Sequence, residues 1–171
     1  MHDGYIFTIG ICGSASDSGP APACLDAMLA ALPPVKRAAY LGEVLLSEGE
    51  PTLDDPLTAP LLGDIADAEV VLVATPLPGG ALPARLQTLA AALEAGGHDG
   101  RRRFAALVVF TDGPVAPLWP LRHALEAAEV EVVGEIYGAA DDTGADTLAE
   151  AVALARAAYS RARHLHPDAL Q

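Results

Sequence analysis

Three serines at alternate positions, Ser14, Ser16 and Ser18, stand in the stretch GICGSASDSGPAP between an apolar run and an alanine-rich one. Hydroxyls gathered where a helix is about to begin suit an anion, because the first-turn amides of a helix lack internal partners and its dipole is positive at that end. The chemistry they suggest is phosphate binding. The same residues also suit a plain turn, with Ser18 as helix cap and Pro20 in the first turn. Asp17 places a negative charge in the loop, and Pro20 and Pro22 withdraw two amide donors. A second stretch, ATPLPGGALPARLQTL, turns through Thr75, Pro76, Leu77, Gly79 and Gly80, where glycine backbone could lie against a flat ring. It also reads as a tight strand-to-helix connection. A third, FTDGPVAPLWP, offers Thr111, Asp112 and Gly113, followed by the only tryptophan, Trp119, which reads first as a packing residue. No nucleophile triad and no metal-ligand spacing stands out, and His164 and His166 read as part of a solvated tail.

The elements that must position these loops follow from hydrophobic periodicity. Strands are expected over 5–12, 35–41, 69–76, 104–110 and 130–137, and helices over 20–32, 61–68, 82–95, 118–128 and 147–164. The segment 42–60, rich in Pro and Gly, has no clear assignment. The run EVVLVATP is the central strand, since its unbroken apolar stretch suits burial on both faces. Alternating strands and helices imply a parallel sheet with helices on both sides, and ligands in such sheets sit outside the carboxyl ends of the strands. All three loops leave those ends.

Composition narrows the function classes. The 171 residues, 51% hydrophobic, suit one domain over 1–171, and no apolar block reaches the length of a membrane span. The start, MHDGYIFTIG, reads as a first strand rather than a leader, so a cytoplasmic protein is expected. A net charge of -13 argues against nucleic acid as a partner. Cys12 and Cys24 read as small buried hydrophobes rather than a disulfide.

The stretches GICGSASDS, ADAEVVLVATPLPGGALPARLQTLAAAL, FAALVVFTDGP and HALEAAEVEVVGEIYGAADD, in that order, resemble the NADPH-dependent FMN reductase family of flavodoxin-like proteins, nearest to its branch that supplies reduced flavin to two-component monooxygenases. The resemblance implies a flavodoxin-like three-layer sandwich whose five-stranded parallel sheet has the order 2-1-3-4-5. It implies FMN as cofactor and NADPH or NADH as donor, with Ser14, Ser16 and Ser18 on the phosphate. Thr75, Pro76, Leu77, Gly79 and Gly80 would then follow the isoalloxazine ring, with Thr111, Asp112 and Gly113 as the second ring-side loop. It also implies a monooxygenase as a partner and a homodimer or tetramer; the residues suit such an assembly as well, since the helix over 82–95 is apolar around much of its girth, with Ala84, Ala90, Ala91, Ala92 and Ala95 beside its leucines, and Trp119 opens the next helix, so that Leu89 and Trp119 are expected at the interface. Members of the family usually carry an arginine in the phosphate loop, where this chain has Ala15 and Asp17, and an aromatic after the TP turn, where it has Leu77. These departures leave room for a second reading, a flavodoxin-like binding or assembly subunit without redox activity.

Overall fold

A computed structural model describes residues 4–14, 18–41, 58–96, 99–113 and 119–169. Its strands are β1 (Thr8–Cys12), β2 (Lys36–Tyr40), β3 (Val70–Pro76), β4 (Arg103–Thr111) and β5 (Val130–Ala139). Its helices are α1 (Pro20–Ala30), α2 (Thr58–Asp67), α3 (Ala84–Ala95), α4 (Trp119–Ala127) and α5 (Ala145–Leu165), with a short 3-10 turn at Pro78–Gly80. The five strands form one parallel sheet in the order β2-β1-β3-β4-β5, the flavodoxin-like arrangement. Most of the unassigned segment 42–60 falls outside the described residues, and α2 starts at Thr58, one turn earlier than expected.

Side chains of β3 and β4 alternate between two cores, as the period-two geometry of a strand requires. On one face Val71, Val73, Ala105, Leu107 and Val109 pack with α2, α3 and α4. On the other Val70, Leu72, Ala74, Phe104, Ala106 and Val108 pack with α1 and α5. The α5 contribution is a stripe of alanines, Ala151, Ala155, Ala158 and Ala162, each buried to 1% exposure or less. Their spacing of three and four puts them on one helix face, and their small size lets the helix lie close to the sheet. Strand β4 is buried along all nine of its residues, which accounts for its unbroken apolar sequence.

At the amino-terminal ends of the strands, polar groups close the sheet. Glu69, 4% exposed, accepts the Phe7 amide at 2.7 Å and the Arg101 guanidinium at 2.7 Å. Arg103, 5% exposed, donates to Asp99 at 2.5 Å and to the Ala66 carbonyl at 2.6 Å. The guanidinium of Arg103 holds the Asp99 carboxyl below its usual range. Among the described residues no helix is long and apolar enough to cross a membrane.

Candidate functional site

The site is built where β1, β3 and β4 end together. After Cys12 the Gly13 amide donates to the Ala74 carbonyl at 3.0 Å, and the Leu41 amide donates to the Cys12 carbonyl at 2.9 Å. Gly13 is required by contact. A Cβ there would stand 2.2 Å from Thr75 Oγ1 and 2.6 Å from Leu86 Cδ1, well inside van der Waals distance. The first loop therefore lies directly on the second loop and on the first turn of α3.

Ser14 follows, half-buried, and Ser18 is exposed beside the helix start. Ser16 lies outside the described residues, as do Ala15 and Asp17. The cap of α1 is Gly19, at φ 115, with no side-chain hydrogen bond, so the alternative in which Ser18 caps the helix does not hold. A positive φ of this size explains the glycine. With prolines at 20 and 22 and the Ala23 amide turned to the Gly19 carbonyl at 3.3 Å, the helix start presents the Gly19 and Ala21 amides as its remaining donors.

The second loop is anchored from inside. Thr75 is fully buried, its hydroxyl donating to the Pro76 carbonyl at 2.9 Å. Leu77 is 3% exposed within the core, and its amide donates to the Phe110 carbonyl of β4 at 2.8 Å. These two side chains therefore position the turn, and the part offered to the rim is backbone. Gly79 and Gly80 have φ of 63 and 78, and no atom stands within 4 Å of where a Gly79 Cβ would be. The Gly80 amide closes the turn on the Leu77 carbonyl at 3.0 Å.

In the third loop the Thr111 hydroxyl accepts the Gly113 amide at 3.3 Å. Asp112 and Gly113 are exposed, with open space where a Gly113 Cβ would stand. The side chain of Trp119 lies outside what is described; its backbone begins α4.

Beside the second loop, between α3 and the start of α4, lies a cleft of about 420 Å³ lined by Leu77, Gly80, Leu82, Gln87, Ala91 and Pro120 among others. Gln87, whose amide nitrogen donates to the Leu82 carbonyl at 2.6 Å, and Glu94 are its polar members. Sequence reasoning did not single out this cleft or Leu86. A run of turn glycines followed by a helix identifies the turn, but the neighbour against which that helix packs is a tertiary fact.

Cys12 and Cys24 are free and buried just behind the first loop. Burial, with a further contribution from the nearby Cys12, pushes the Cys24 thiol up to about 11. Burial also raises Cys12, opposed by a hydrogen bond from the Ser14 backbone. No group of three or more His, Cys, Asp or Glu fit to hold a metal occurs among the described residues.

No family model matches the chain, and no curated protein sequence resembles it significantly. Solved structures do resemble it in shape. A flavodoxin of Streptococcus pneumoniae TIGR4 is 15% identical with a TM-score of 0.65, the match covering 90% of this chain and 99% of that one. The apo form of an NADH:FMN oxidoreductase, EmoB, is 15% identical with a TM-score of 0.66, over 91% of this chain and 89% of that one. A flavone reductase is 13% identical with a TM-score of 0.75, over 97% of this chain but 66% of that one. At such identities the likeness is one of fold.

Proposed function

We propose that this chain is an NAD(P)H-dependent, FMN reductase-like flavoprotein, passing hydride from a nicotinamide to FMN or through FMN to an acceptor. The observation that carries the reading is the joining of the three rim loops: Gly13 packed on Thr75, and the Leu77 amide bonded to the end of β4. They meet where a parallel sheet of this order takes its ligands. NADH:FMN oxidoreductase and flavone reductase among the fold neighbours support it.

The residues present fit the flavin. Backbone without side-chain obstruction faces outward at Gly79 and Gly113, giving a planar ring two open approaches. At the first loop the Ser14 and Ser18 hydroxyls, with the Gly19 and Ala21 amides, would hold its phosphate. When bound, the flavin supplies the hydride-accepting chemistry itself. The chain orients and encloses. Thr75 and Leu77 fix the ring-side turn from beneath, and the bond from Leu77 to Phe110 ties that turn to the end of β4, from which the third loop leaves. The adjoining cleft, with apolar walls and the polar groups of Gln87 and Glu94, gives room for a second planar molecule beside the turn. NADPH against NADH, and a monooxygenase as the consumer of reduced flavin, stand as finer parts of the same proposal.

The test is spectroscopic. Purified protein mixed with FMN should shift and quench flavin fluorescence, and anaerobic addition of NADH or NADPH should bleach the flavin absorbance faster than in protein-free controls. Prolines 20 and 22, which withdraw amide donors at the helix start, favour the second reading, a binding or assembly subunit. Absence of flavin binding at millimolar FMN would select it.

A further inference from the structure

We infer that the electron donor is NADH rather than NADPH and that Glu94, at the far end of the cleft beside α3, sets this choice, an inference that rests on the flavin reading above. The two donors differ at one position. NADPH carries a phosphate of charge about -2 on its adenosine ribose, where NADH carries a hydroxyl. A site that takes the phosphate needs a cation beside it, whereas a site that takes the hydroxyl needs an acceptor.

The cleft has the acceptor. It starts at the ring-side turn, with Leu77 and Gly80, and follows α3 past Gln87 and Ala91 to Glu94. Spacings of four and three put those three α3 residues on one helix face, so the cleft leads away from the ring-side turn. From Ala84, where α3 begins, to Glu94 the helix rises roughly 15 Å, a reach that the two riboses and pyrophosphate of a dinucleotide can span. Glu94 is exposed, and among the described residues its side chain makes no ion pair and no hydrogen bond. It stands one residue before α3 ends at Ala95, where the helix dipole is negative. Carboxylate and dipole both favour a hydroxyl donor and oppose a phosphate.

No cation offsets them. All ten lysines and arginines of the sequence lie among the described residues, and none lines the cleft. Lys36 and Arg37 open β2, and the run RRR opens β4, at the end of the sheet opposite the rim. The arginines of α5 belong to a helix packed on the other face of the sheet from α3. Arg122, in α4, is engaged by Glu126 at 2.9 Å and Glu135 at 3.0 Å. Arg85, 8% exposed, lies about half a helical turn around α3 from Gln87 and from Glu94, on the side turned inward. The stretch 114–118, which precedes the cleft residue Pro120 by one position, is PVAPL and brings no charge. The net charge of -13 biases the whole molecule in the same direction.

Two readouts test the assignment on the full-length protein with FMN present. Calorimetry with the unreactive oxidised forms, NAD+ and NADP+, measures affinity directly, and anaerobic bleaching of the flavin gives kcat and KM for NADH and NADPH. Each is run at low and high salt beside Glu94→Gln, Glu94→Lys and a control for net charge, Asp67→Lys, at the exposed end of α2 on the opposite side of the sheet's length. The wild type should favour the forms without the 2′-phosphate at least tenfold in both readouts, and the gap should narrow as salt rises. Glu94→Gln should narrow it at low salt. Glu94→Lys should move the ratio at least tenfold toward the phosphorylated forms, through KM rather than kcat, while Asp67→Lys leaves it as in the wild type. A wild type that prefers NADPH or shows no preference, a ratio that Glu94→Lys leaves in place, or one that Asp67→Lys moves as far would overturn the assignment and leave the flavin reading intact. Flavin that does not bind, or that neither donor bleaches, would overturn that reading, and this one with it.

Discussion

At the scale of single residues, the rim depends on one contact more than on any hydrogen bond. Gly13 is held against Thr75 and Leu86, so Gly13→Ala must displace a buried threonine and a leucine. Overpacking of this kind costs about 1–3 kcal/mol, and a urea denaturation midpoint unchanged from wild type would show that the loop has slack. The serines act differently. Replacing Ser14 and Ser18 together by alanine should weaken FMN at least tenfold, through the loss of charge-assisted bonds of about 1.5–3 kcal/mol each, without lowering the melting temperature appreciably. Calorimetry showing undiminished FMN binding would place the phosphate elsewhere. The two thiols should be silent in the native state: with Cys24 near 11 and Cys12 raised by burial, a thiol-reactive dye at pH 8 should label neither until denaturant is added. Fast labelling of folded protein would contradict the packing behind the first loop.

At the scale of elements, much of the fold was legible because each strand or helix carries its own period, and the misses have local causes. The first strand was expected from residue 5, but the ladder begins at Thr8, because the Phe7 amide goes to the Glu69 carboxylate. Helix α3 was expected from residue 82, but Pro83 has extended ψ of 145 and stands outside it. Strand β5 carries an irregularity opposite Ala105 and Ala106 that no period reveals. The candidate site was legible as three loops, since turn residues after apolar runs declare themselves. The inward direction of Thr75 and Leu77 was not, because a turn sequence does not say which of its side chains the core takes. Glu69 was missed entirely, although its signal was there: an acid opening the central strand and the run RRR opening the next. Glu69→Ala should cost about 1–3 kcal/mol by removing the carboxylate that accepts the Phe7 amide and the partly exposed Arg101 guanidinium; a midpoint of chemical denaturation unchanged from wild type would mean that water replaces the carboxylate. The start of α5 is held by Asp142, which accepts the Thr147 hydroxyl at 2.6 Å and the Gly144 amide at 2.7 Å. These bonds, the hydroxyl first, hold its pKa below the ordinary carboxylate value. A lowered folded-state value stabilises above the unfolded value and is lost as pH falls through the folded one. Asp142→Asn should therefore lower the melting temperature at neutral pH, and the gap from wild type should close in strong acid.

At the scale of the whole molecule, the sequence led to a homodimer or tetramer on α3 and α4, because α3 looked apolar around much of its girth. The structure changes the basis of that expectation. The leucines of α3 are core: Leu86, Leu89 and Leu93 are 0%, 2% and 7% exposed, so Leu89→Arg would test folding and not assembly. What α3 presents outward is Ala84, Gln87, Ala91, Glu94 and Ala95. Small side chains along that face permit close approach of another helix, and the adjoining cleft offers a depression of about 420 Å³ for a protruding side chain. Ala91 lines the cleft and is exposed, which makes it the position at which bulk and charge can block such a contact without entering the core. We therefore expect sedimentation at micromolar concentration to give a dimer or larger species. Ala91→Arg should convert it to a single species near 17.5 kDa with an unchanged melting curve at high dilution. Wild-type protein that already sediments near 17.5 kDa would sink the expectation. An Ala91→Arg variant that keeps the larger mass would move the interface off α3. If the variant is monomeric and binds FMN more weakly, the second copy helps to cover the flavin, since the blocked cleft opens beside the ring-side turn; if FMN affinity is unchanged, each chain holds the cofactor alone.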